Sequence, residues 1–487
     1  MKRLPDSSAL LRVAQMQTAD RLTEELGTSG IELMQNAGSA VARAAMGRWS
    51  RRPVAVLCGP GNNGGDGFVA ATVLKAAGWP VRVGLKGAVE RLRGDAAHHA
   101  ARWNGPVEPL GLRILDGAAL VVDALFGAGL SRALDSEVTR VLDAAAEREL
   151  PLLAVDVPSG LMGDTGEALG AVQAQLTVTF TRKKPAHVLL PGRALCGTTL
   201  VADIGTPPAV LERLDIDTWE NDPVIWRERL PRLDAAGNKY SRGHALLVGG
   251  YPTTGAARMA ARAAARMGAG LTTIAVPERG LDVYAAALTS IMVRPLAAPE
   301  DLSLLLSDRR FTACLIGPGA GTGADTRERS LAMLGTGRPV VLDADAITVF
   351  AHDPQTLFRS IRGPCVLTPH DGEFARLFDS SGDKLTRARR AARESGAVIV
   401  LKGADSVIAA PDGRAVVNTN APPSLATGGA GDVLGGMILG LLTQGMDAHA
   451  AASAAAWIHG AAAEDFGPGL LAEDLPDLLP GVLRRLA

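Results

Sequence analysis

The most informative segment of the chain is Ala426-Thr427-Gly428-Gly429-Ala430-Gly431-Asp432-Val433-Leu434-Gly435-Gly436. Its glycines lack a Cβ, so backbone N–H groups can close around a phosphate, and the N-terminus of the helix predicted next adds positive potential. An aspartate is unfavourable beside a polyphosphate unless it takes a proton from the group that receives the phosphoryl. We therefore interpret Asp432 as a general base in a phosphate loop. The alternative is a glycine-rich turn in which Asp432 is the helix N-cap.

The composition is that of a globular protein with more than one domain. The chain has 487 residues, of which 47% are hydrophobic and 21% charged, enough for two or more separate cores. A net charge of −1 argues against nucleic acid or a membrane surface as a partner. Four cysteines lie far apart without metal-ligand spacing, and the N-terminus has no apolar signal segment. We expect a reduced, cytoplasmic protein that binds small molecules.

In the first half of the chain, apolar runs alternate with helical patterns, which predicts an α/β fold with a mainly parallel sheet. The helical patterns include Phe68–Ala77 and Glu137–Glu147, and Gly205–Pro223 is typical of an inter-domain connection. The predicted strands are Val54–Leu57, Val81–Leu85, Leu120–Asp123, Leu152–Asp156 and Leu176–Phe180.

A second alternating series follows and ends in a hairpin-like turn and two predicted helices, Val433–Leu442 and Ala448–Glu464. No repeat relates the two halves, so we predict two different α/β domains, over residues 1–215 and 216–487. The predicted strands are Ala245–Val248, Thr272–Val276, Cys314–Ile316, Val340–Asp343, Val366–Thr368, Val398–Leu401, Val407–Ala409 and Ala415–Val417.

Polar and glycine-rich residues follow several strands of this second series, at the sheet edge where open α/β sheets bind ligands. Lys402 offers a point charge to a phosphate, and Gly403 lets the backbone approach it. His370 is either a structural histidine or a substrate contact. The segments concerned are 317–321, 343–346, 368–373 and 402–406.

Residues 225–487 resemble the ribokinase-like superfamily and, within it, the NAD(P)H-hydrate dehydratases. The resemblance lies in Asn238–His244, Thr254-Gly255-Ala256, Thr368-Pro369-His370-Asp371-Gly372-Glu373 and the final Gly-Gly-Ala-Gly-Asp. It implies a ribokinase-like domain that binds ADP or ATP through Lys402, Gly403, Ala404, Asp405, Ser406 and Gly431. It also implies a hydrate site formed by Ala256, Gly319, His370 and Asp432.

The resemblance also implies a mechanism. The hydroxyl of hydrated NADH or NADPH leaves poorly, and phosphorylation makes it a good leaving group that the ring nitrogen can expel. Asp432 would take the hydroxyl proton during the transfer. Magnesium is expected with the nucleotide, and resemblance to fused bacterial forms favours ADP over ATP.

The first half has its own glycine-rich segment, Cys58–Phe68, which fits neither a dinucleotide fingerprint nor a Walker A loop. It could wrap a phosphate with backbone amides, or be only a strand-to-helix turn. Two later strands end in carboxylates, so Asn63, Asp123 and Asp156 are expected at one sheet edge.

Residues 10–205 resemble the NAD(P)H-hydrate epimerases, whose domain is Rossmann-like with three layers. The resemblance includes Leu33–Gly38, Thr179-Phe180 and Lys184-Pro185. It implies a potassium ion held by Asn63, Asp123 and Ser159, and Asp156 as the group that assists loss and return of water or a proton. It implies hydrate contacts from Asn62, Asn63, Gly64, Gly65, Asp66, Gly127, Ala128, Gly129, Leu130, Ser131, Arg132, Ala133 and Asp156.

Together the two halves predict a bifunctional enzyme that repairs NADHX and NADPHX, the hydrates of NADH and NADPH, by epimerising the R and S forms and dehydrating the S form. The enzymatic alternative is a vitamin-precursor kinase of the same superfamily with a non-catalytic, nucleotide-binding N-terminal domain. Open α/β domains often associate, so a homo-oligomer is expected.

Overall fold

The computed structural model describes residues 6–234, 236–298 and 300–486. The chain divides into two compact units, one comprising Ala9–Ile216 and the other the chain from Asp217 onward. Among the helices described, none combines the length and apolar character needed to cross a membrane.

The N-terminal unit is built on a parallel sheet of seven described strands in the order β3-β2-β1-β4-β5-β6-β7. These strands are β1 (Val54–Cys58), β2 (Val81–Leu85), β3 (Val107–Pro109), β4 (Leu120–Ala124), β5 (Leu152–Val155), β6 (Leu176–Phe180) and β7 (Thr198–Ala202). The helices are α1 (Val13–Glu25), α2 (Gly30–Arg48), α3 (Asn62–Ala76), α4 (Gly94–Ala101), α5 (Ser136–Glu147), α6 (Gly192–Cys196) and α7 (Pro208–Glu212).

The sheet of this unit is covered on both faces. Val54 and Val56 of β1 pack in a core with residues of α2 and α3, whereas Ala55 and Leu57 pack with residues of α5. Because both faces are buried, the central strands are continuous apolar runs rather than alternating ones. The predicted three-layer α/β arrangement is confirmed.

Helix α3 begins at Asn62, six residues earlier than predicted, so much of the glycine-rich segment is helical rather than a loop. The glycines are needed for close packing. A Cβ at Gly64 would overlap the carbonyl oxygen of Gly59, and one at Gly65 would overlap the Met34 sulfur. The phosphate loop expected here is therefore mainly a helix N-terminus, with Gly61 as its N-cap.

The C-terminal unit is built on ten described strands in the order β11-β10-β9-β12-β13-β14-β15-β16-β17-β8. They are β8 (Thr218–Glu220), β9 (His244–Val248), β10 (Leu271–Pro277), β11 (Met292–Leu296), β12 (Phe311–Ile316), β13 (Val340–Leu342), β14 (Cys365–Leu367), β15 (Val398–Leu401), β16 (Val407–Ala409) and β17 (Ala415–Val417). Only β16 runs antiparallel to both of its neighbours; the other described pairs are parallel.

Eleven described helices accompany this sheet. They are α8 (Gly255–Arg266), α9 (Leu281–Ala287), α10 (Glu300–Ser307), α11 (Ala324–Gly335), α12 (Asp345–Thr348), α13 (Pro354–Ser360), α14 (Asp371–Leu377), α15 (Lys384–Ser395), α16 (Ala430–Thr443), α17 (Ala448–Phe466) and α18 (Leu475–Leu486). The last of them was not predicted. Its first turn is bonded to α8, where Arg262 and Arg266 both donate to Asp477.

The segment Gly205–Pro223, predicted to be a connection, contains structure of its own. It holds α7 and the strand β8, which pairs with β17 at one edge of the C-terminal sheet. Just after β8, the Asn221 side chain donates to Asn418 Oδ1 and to the carbonyl of Ser453, and accepts from Trp226 Nε1. These buried bonds hold β8 and the residue after it in the C-terminal unit, whereas α7 packs with α1 in the N-terminal unit.

The segment 426–436 forms the start of α16. Gly429 is the N-cap with a φ of +95°, and Asp432 is the third helical residue. The interpretation of Asp432 as an N-cap is therefore wrong. Further along, a Cβ at Gly436 would overlap the Ala260 carbonyl of α8, so the glycines after Asp432 serve close helix packing.

Two candidate active sites

The N-terminal unit contains a cavity of about 690 Å³. Its walls come from one face of α1, the first half of α2, the start of α3, the loop after β4, and side chains that follow β5 and β6. Gly64, Gly65 and Ala133, expected to contact the hydrate, are not among its lining residues. The expected contacts that do line it are Asn62, Asn63, Asp66, Gly127, Ala128, Gly129, Leu130, Ser131, Arg132 and Asp156.

Asp156 follows β5 in a left-handed conformation, with a φ of +67°. Its Oδ1 accepts from Lys184 Nζ at 2.7 Å and from Thr179 Oγ1 at 2.9 Å, and its Oδ2 accepts from the Ala128 N–H at 3.0 Å. Burial alone would raise the pKa of Asp156, but the Lys184 ammonium and these hydrogen bonds lower it to about 2. Asp156 is therefore a fixed carboxylate at neutral pH.

His187 contacts the backbone of both members of this ion pair. Its Nε2 is 2.8 Å from the Asp156 carbonyl oxygen, and its Nδ1 is 2.8 Å from the backbone nitrogen of Lys184. Burial, followed by the nearby Lys184 charge, lowers the pKa of His187 to about 4, so the ring is neutral. The sequence identified Lys184 within a motif but did not predict its ion pair with Asp156.

Four more carboxylic residues line the cavity, Asp20, Glu24, Asp66 and Asp95. The pKa values of Asp66 and Asp20 are shifted in the opposite direction to that of Asp156. Burial and then neighbouring charges, chiefly Asp156, raise the pKa of Asp66 well above its usual range. Burial raises the pKa of Asp20 to about 6, although Lys184 partly opposes this. Asp20 lies on α1 and was missed, because no motif surrounds it.

Asp123 and Ser159, expected to hold potassium, are hydrogen-bonded to each other. Ser159 Oγ donates to Asp123 Oδ1 at 2.6 Å, and the Ser159 N–H donates to Oδ2 at 2.8 Å. Burial raises the pKa of Asp123 despite these bonds, and no basic side chain pairs with it among the described residues. The buried Asn63 amide nitrogen has no hydrogen-bond partner within the described chain. These buried oxygen-bearing side chains fit a monovalent cation, which would balance the carboxylate charge.

In the C-terminal unit, Asp432 lies among other charged groups that follow the strands. Burial is the main cause that raises its pKa to about 7, and the carboxylate of Asp343 adds to the effect, whereas Lys402 opposes it. Asp345 and Glu373 raise it slightly further. A carboxyl group with a pKa near 7 is suited to general base catalysis at neutral pH.

The Lys402 ammonium group lies against two carboxylates. Its Nζ donates to Asp343 Oδ1 at 2.9 Å and lies 3.8 Å from Glu373 Oε2. Burial opposes the charged form of Lys402, but Asp343 and Glu373 outweigh it and raise the pKa. A Cβ added to Gly431 would lie 3.2 Å from the Lys402 ammonium, so this charge sits against the start of α16.

The loop 402–406 is ordered by its own side chains. Ser406 Oγ accepts from the Gly403 N–H at 3.0 Å and donates to the Gly403 carbonyl at 2.7 Å. Asp405 Oδ1 accepts from Lys384 Nζ at 2.6 Å, and both side chains are nearly buried. Lys384, at the start of α15, was not identified from the sequence because it is remote from every motif.

The remaining expected hydrate contacts lie in three separate segments of the C-terminal unit. His370 caps α14, because its Nδ1 accepts hydrogen bonds from the N–H groups of Gly372 and Glu373. These bonds support the interpretation of His370 as a structural histidine. The ring is 58% exposed, which leaves its outer edge open. Ala256 lies in the first turn of α8. Gly319 follows β12 with a φ of +66°.

Both halves of the chain match known families. Residues 245–480 match the NAD(P)H-hydrate dehydratase family, and residues 30–186 match the family of YjeF-related protein N-termini. The chain is 38% identical to a bifunctional NAD(P)H-hydrate repair enzyme of Moorella thermoacetica, over 98% of this chain and 97% of that protein. It is 34% identical to the protein of the same description from Escherichia coli, over 92% of this chain and 89% of that one.

The C-terminal fold also has a counterpart among solved structures. A ribokinase-like superfamily protein of Enterococcus faecalis superposes with a TM-score of 0.50 and 27% identity. The match covers 56% of this chain and 97% of that protein. The ribokinase-like fold predicted for the second domain is thereby confirmed.

Proposed function

The chain belongs to the family of bifunctional NAD(P)H-hydrate repair enzymes, and from this we propose which residues carry out each of its two activities. The enzyme interconverts the R and S hydrates of NADH and NADPH and dehydrates the S form at the expense of ADP or ATP. The relatives match nearly the whole chain, so a vitamin-precursor kinase with a non-catalytic N-terminal domain is not favoured.

We assign the epimerase to residues 1–215 and the dehydratase to residues 216–487. The proposed partners are the hydrates and ADP or ATP, without nucleic acid or membrane, and we propose a cytoplasmic homo-oligomer. ADP is the proposed donor.

In the dehydratase, Asp432 acts as the general base. It takes the proton of the substrate hydroxyl as the phosphoryl group is transferred. The phosphorylated oxygen then leaves as phosphate while the ring nitrogen donates its lone pair, and loss of a proton from the adjacent ring carbon to solvent forms the ring double bond of NADH or NADPH. Backbone N–H groups at the start of α16, where Gly431 lies, stabilise charge on the transferring group. Magnesium with the nucleotide would neutralise phosphate charge, and the Asp343 carboxylate is an oxygen donor that suits it.

The nucleotide is bound at the loop 402–406. Lys402 contributes a permanent positive charge that Asp343 and Glu373 hold in place. Ala256, Gly319 and the exposed edge of His370 would contact the hydrate. The pair of Lys384 and Asp405 keeps the loop in the conformation that receives the nucleotide.

In the epimerase, the hydrate occupies the N-terminal cavity, and Asp156 assists the loss and return of water. Lys184 keeps Asp156 ionised and in position. Asn63, Asp123 and Ser159 would hold a potassium ion, which would supply positive charge beside the buried carboxylate. This set has the oxygen ligands that a hard cation takes.

The observation that carries the proposal is the half-buried Asp432, with a pKa near neutrality, beside the Lys402–Asp343 pair. It is tested by incubating the full chain with S-hydrated NADH and either ADP or ATP while following NADH absorbance. A separate reaction with the R hydrate, with and without potassium, measures epimer exchange. Absence of NADH formation with both donors would refute the dehydratase assignment, and absence of exchange with potassium would refute the epimerase.

A further inference from the structure

The N-terminal cavity contains a carboxyl group to which neither the motifs nor the family assignment gives a role. Asp20 lines it from α1, together with Val13, Gln17 and Glu24. These positions recur every three or four residues and therefore form one face of the helix. The adjacent face, with Ala19 and Leu22, packs in an apolar cluster with α7, and Met16 lies at the border, in both the cluster and the cavity wall. This packing fixes the side of α1 that faces the cavity.

Among the carboxyl groups that line the cavity, Asp20 and Asp156 differ in their hydrogen bonding. Asp156 accepts bonds from Lys184, Thr179 and Ala128, which occupy both of its oxygens. The Asp20 carboxyl has no hydrogen-bond partner among the described residues, and its side chain is half-buried against the cavity. One carboxyl group is held as an anion, and the other is free to give or take a proton.

We propose that Asp20 is the acid of the epimerase reaction and that Asp156 is its base. The assignment rests on the proposed epimerase function. It gives proton donation and proton acceptance to two different carboxyl groups, so that a single carboxylate need not do both. Two carboxyl groups in different environments are a common means of separating acid from base in one site.

The Asp20 carboxyl gives its proton to the hydroxyl oxygen of the hydrate, and the carbon–oxygen bond breaks with its electron pair leaving on water. The ring nitrogen lone pair forms a carbon–nitrogen double bond to the same carbon. A water molecule then adds from the opposite face and gives a proton to the Asp156 carboxylate. That proton returns to Asp20 through solvent, which restores both groups.

The basicity of the two groups suits these roles. Water bound to a cationic carbon–nitrogen unit is strongly acidic, so even the weakly basic Asp156 can accept its proton. Asp20, with a pKa of about 6, retains a protonated fraction near neutral pH. The charged groups that face it are Lys184, Asp156, Glu24 and Asp66, and the side packed on α7 is apolar.

The test uses the full chain with potassium and no nucleotide, and measures conversion of the R hydrate into the S hydrate after subtraction of the spontaneous rate. We expect Asp20→Asn to lower kcat by about 100-fold or more, as for loss of a general acid, with little change in KM. Asp20→Glu should recover part of the rate. Glu25→Gln is the matched control: it removes an exposed carboxylate of the same helix that does not line the cavity, and should retain the wild-type rate.

The pH profile separates a chemical role from a structural one. The wild-type rate should fall about tenfold per pH unit above pH 6, and this limb should be absent in Asp20→Asn. In oxygen-18 water, each epimerisation should replace the hydroxyl oxygen. A wild-type rate and profile in Asp20→Asn, or retention of the original oxygen, would overturn the proposal. If the wild type does not epimerise, the proposed function itself fails.

Folding of the variants is checked on the same samples. Dehydration of the S hydrate with ADP reports on the C-terminal unit, and thermal unfolding on the N-terminal unit. Asparagine replaces a carboxyl group that is unfavourable when ionised, so Asp20→Asn should not be less stable than the wild type. If Asp20→Asn nevertheless fails to fold, Asp20→Glu decides: an unaltered pH profile in that variant overturns the proposal.

Discussion

Replacing Asp432 by asparagine should remove dehydratase turnover and at the same time stabilise the C-terminal unit. Asparagine keeps the shape of the side chain but cannot accept the hydroxyl proton, so NADH recovery should be almost lost while nucleotide binding remains. Burial and the nearby carboxylates disfavour the ionised form of Asp432. The neutral variant avoids that cost.

The size of the effect follows from the pKa of Asp432, raised from 3.8 to about 7. Three units at ~1.4 kcal/mol each correspond to ~4 kcal/mol. Because the side chain is only partly buried, solvent screening reduces this to ~1–2 kcal/mol. The folded chain keeps the proton where the unfolded chain has lost it, so stability falls as pH rises from about 4 to about 7. The advantage of asparagine should therefore grow with pH and level off above 7.

The assay is urea unfolding of the wild type and Asp432→Asn at about pH 5 and pH 8, following the transition that ADP moves to higher urea. ADP binding by calorimetry tests whether the nucleotide site remains intact, and epimer exchange serves as an internal activity control. A stability difference that does not change with pH would refute the electrostatic reasoning. Near-normal NADH recovery in the variant would refute the assignment of Asp432 as the base.

Three further variants test neighbouring groups. Asp343→Asn removes a negative charge that raises the pKa of Asp432, so the acid limb of the kcat/KM profile for dehydration should move down by about one pH unit. Lys184→Met leaves the Asp156 carboxylate buried without its cation; the free energy of unfolding of the N-terminal unit should fall by about 3–5 kcal/mol, and epimer exchange should be lost. Lys384→Met should raise KM for ADP about tenfold with little change in kcat, because it leaves the loop 402–406 without its buried ion pair.

The strands that the sequence predicts are those buried on both faces, and the strands it misses lie at sheet edges. Val54–Cys58 is fully buried and therefore a continuous apolar run. By contrast, Thr198–Ala202 and Met292–Leu296 are largely exposed edge strands that contain polar residues or proline. Such strands are defined by their pairing with a neighbour, which no local pattern records.

The residues of the candidate sites also divide into those that the sequence predicts and those that it misses. Residues at strand ends could be grouped because the carboxyl ends of parallel strands meet at one edge of the sheet. The partnership of Lys184 with Asp156 joins residues 28 positions apart, and Asp20 approaches from a helix without any glycine or proline nearby. Their importance depends on which surfaces the fold brings together, so sequence reasoning did not find it.

The strand β8 has a practical consequence for dividing the chain. The match to the dehydratase family begins only at residue 245, but earlier residues also belong to this unit. The strand β8 covers the edge of β17, and Asn221 is hydrogen-bonded to Asn418 and Ser453. A fragment that starts at residue 245 would expose an unpaired strand, a ready template for association between chains. A fragment that starts before Asp217 keeps this edge covered, and should be the one that remains monodisperse during expression and purification.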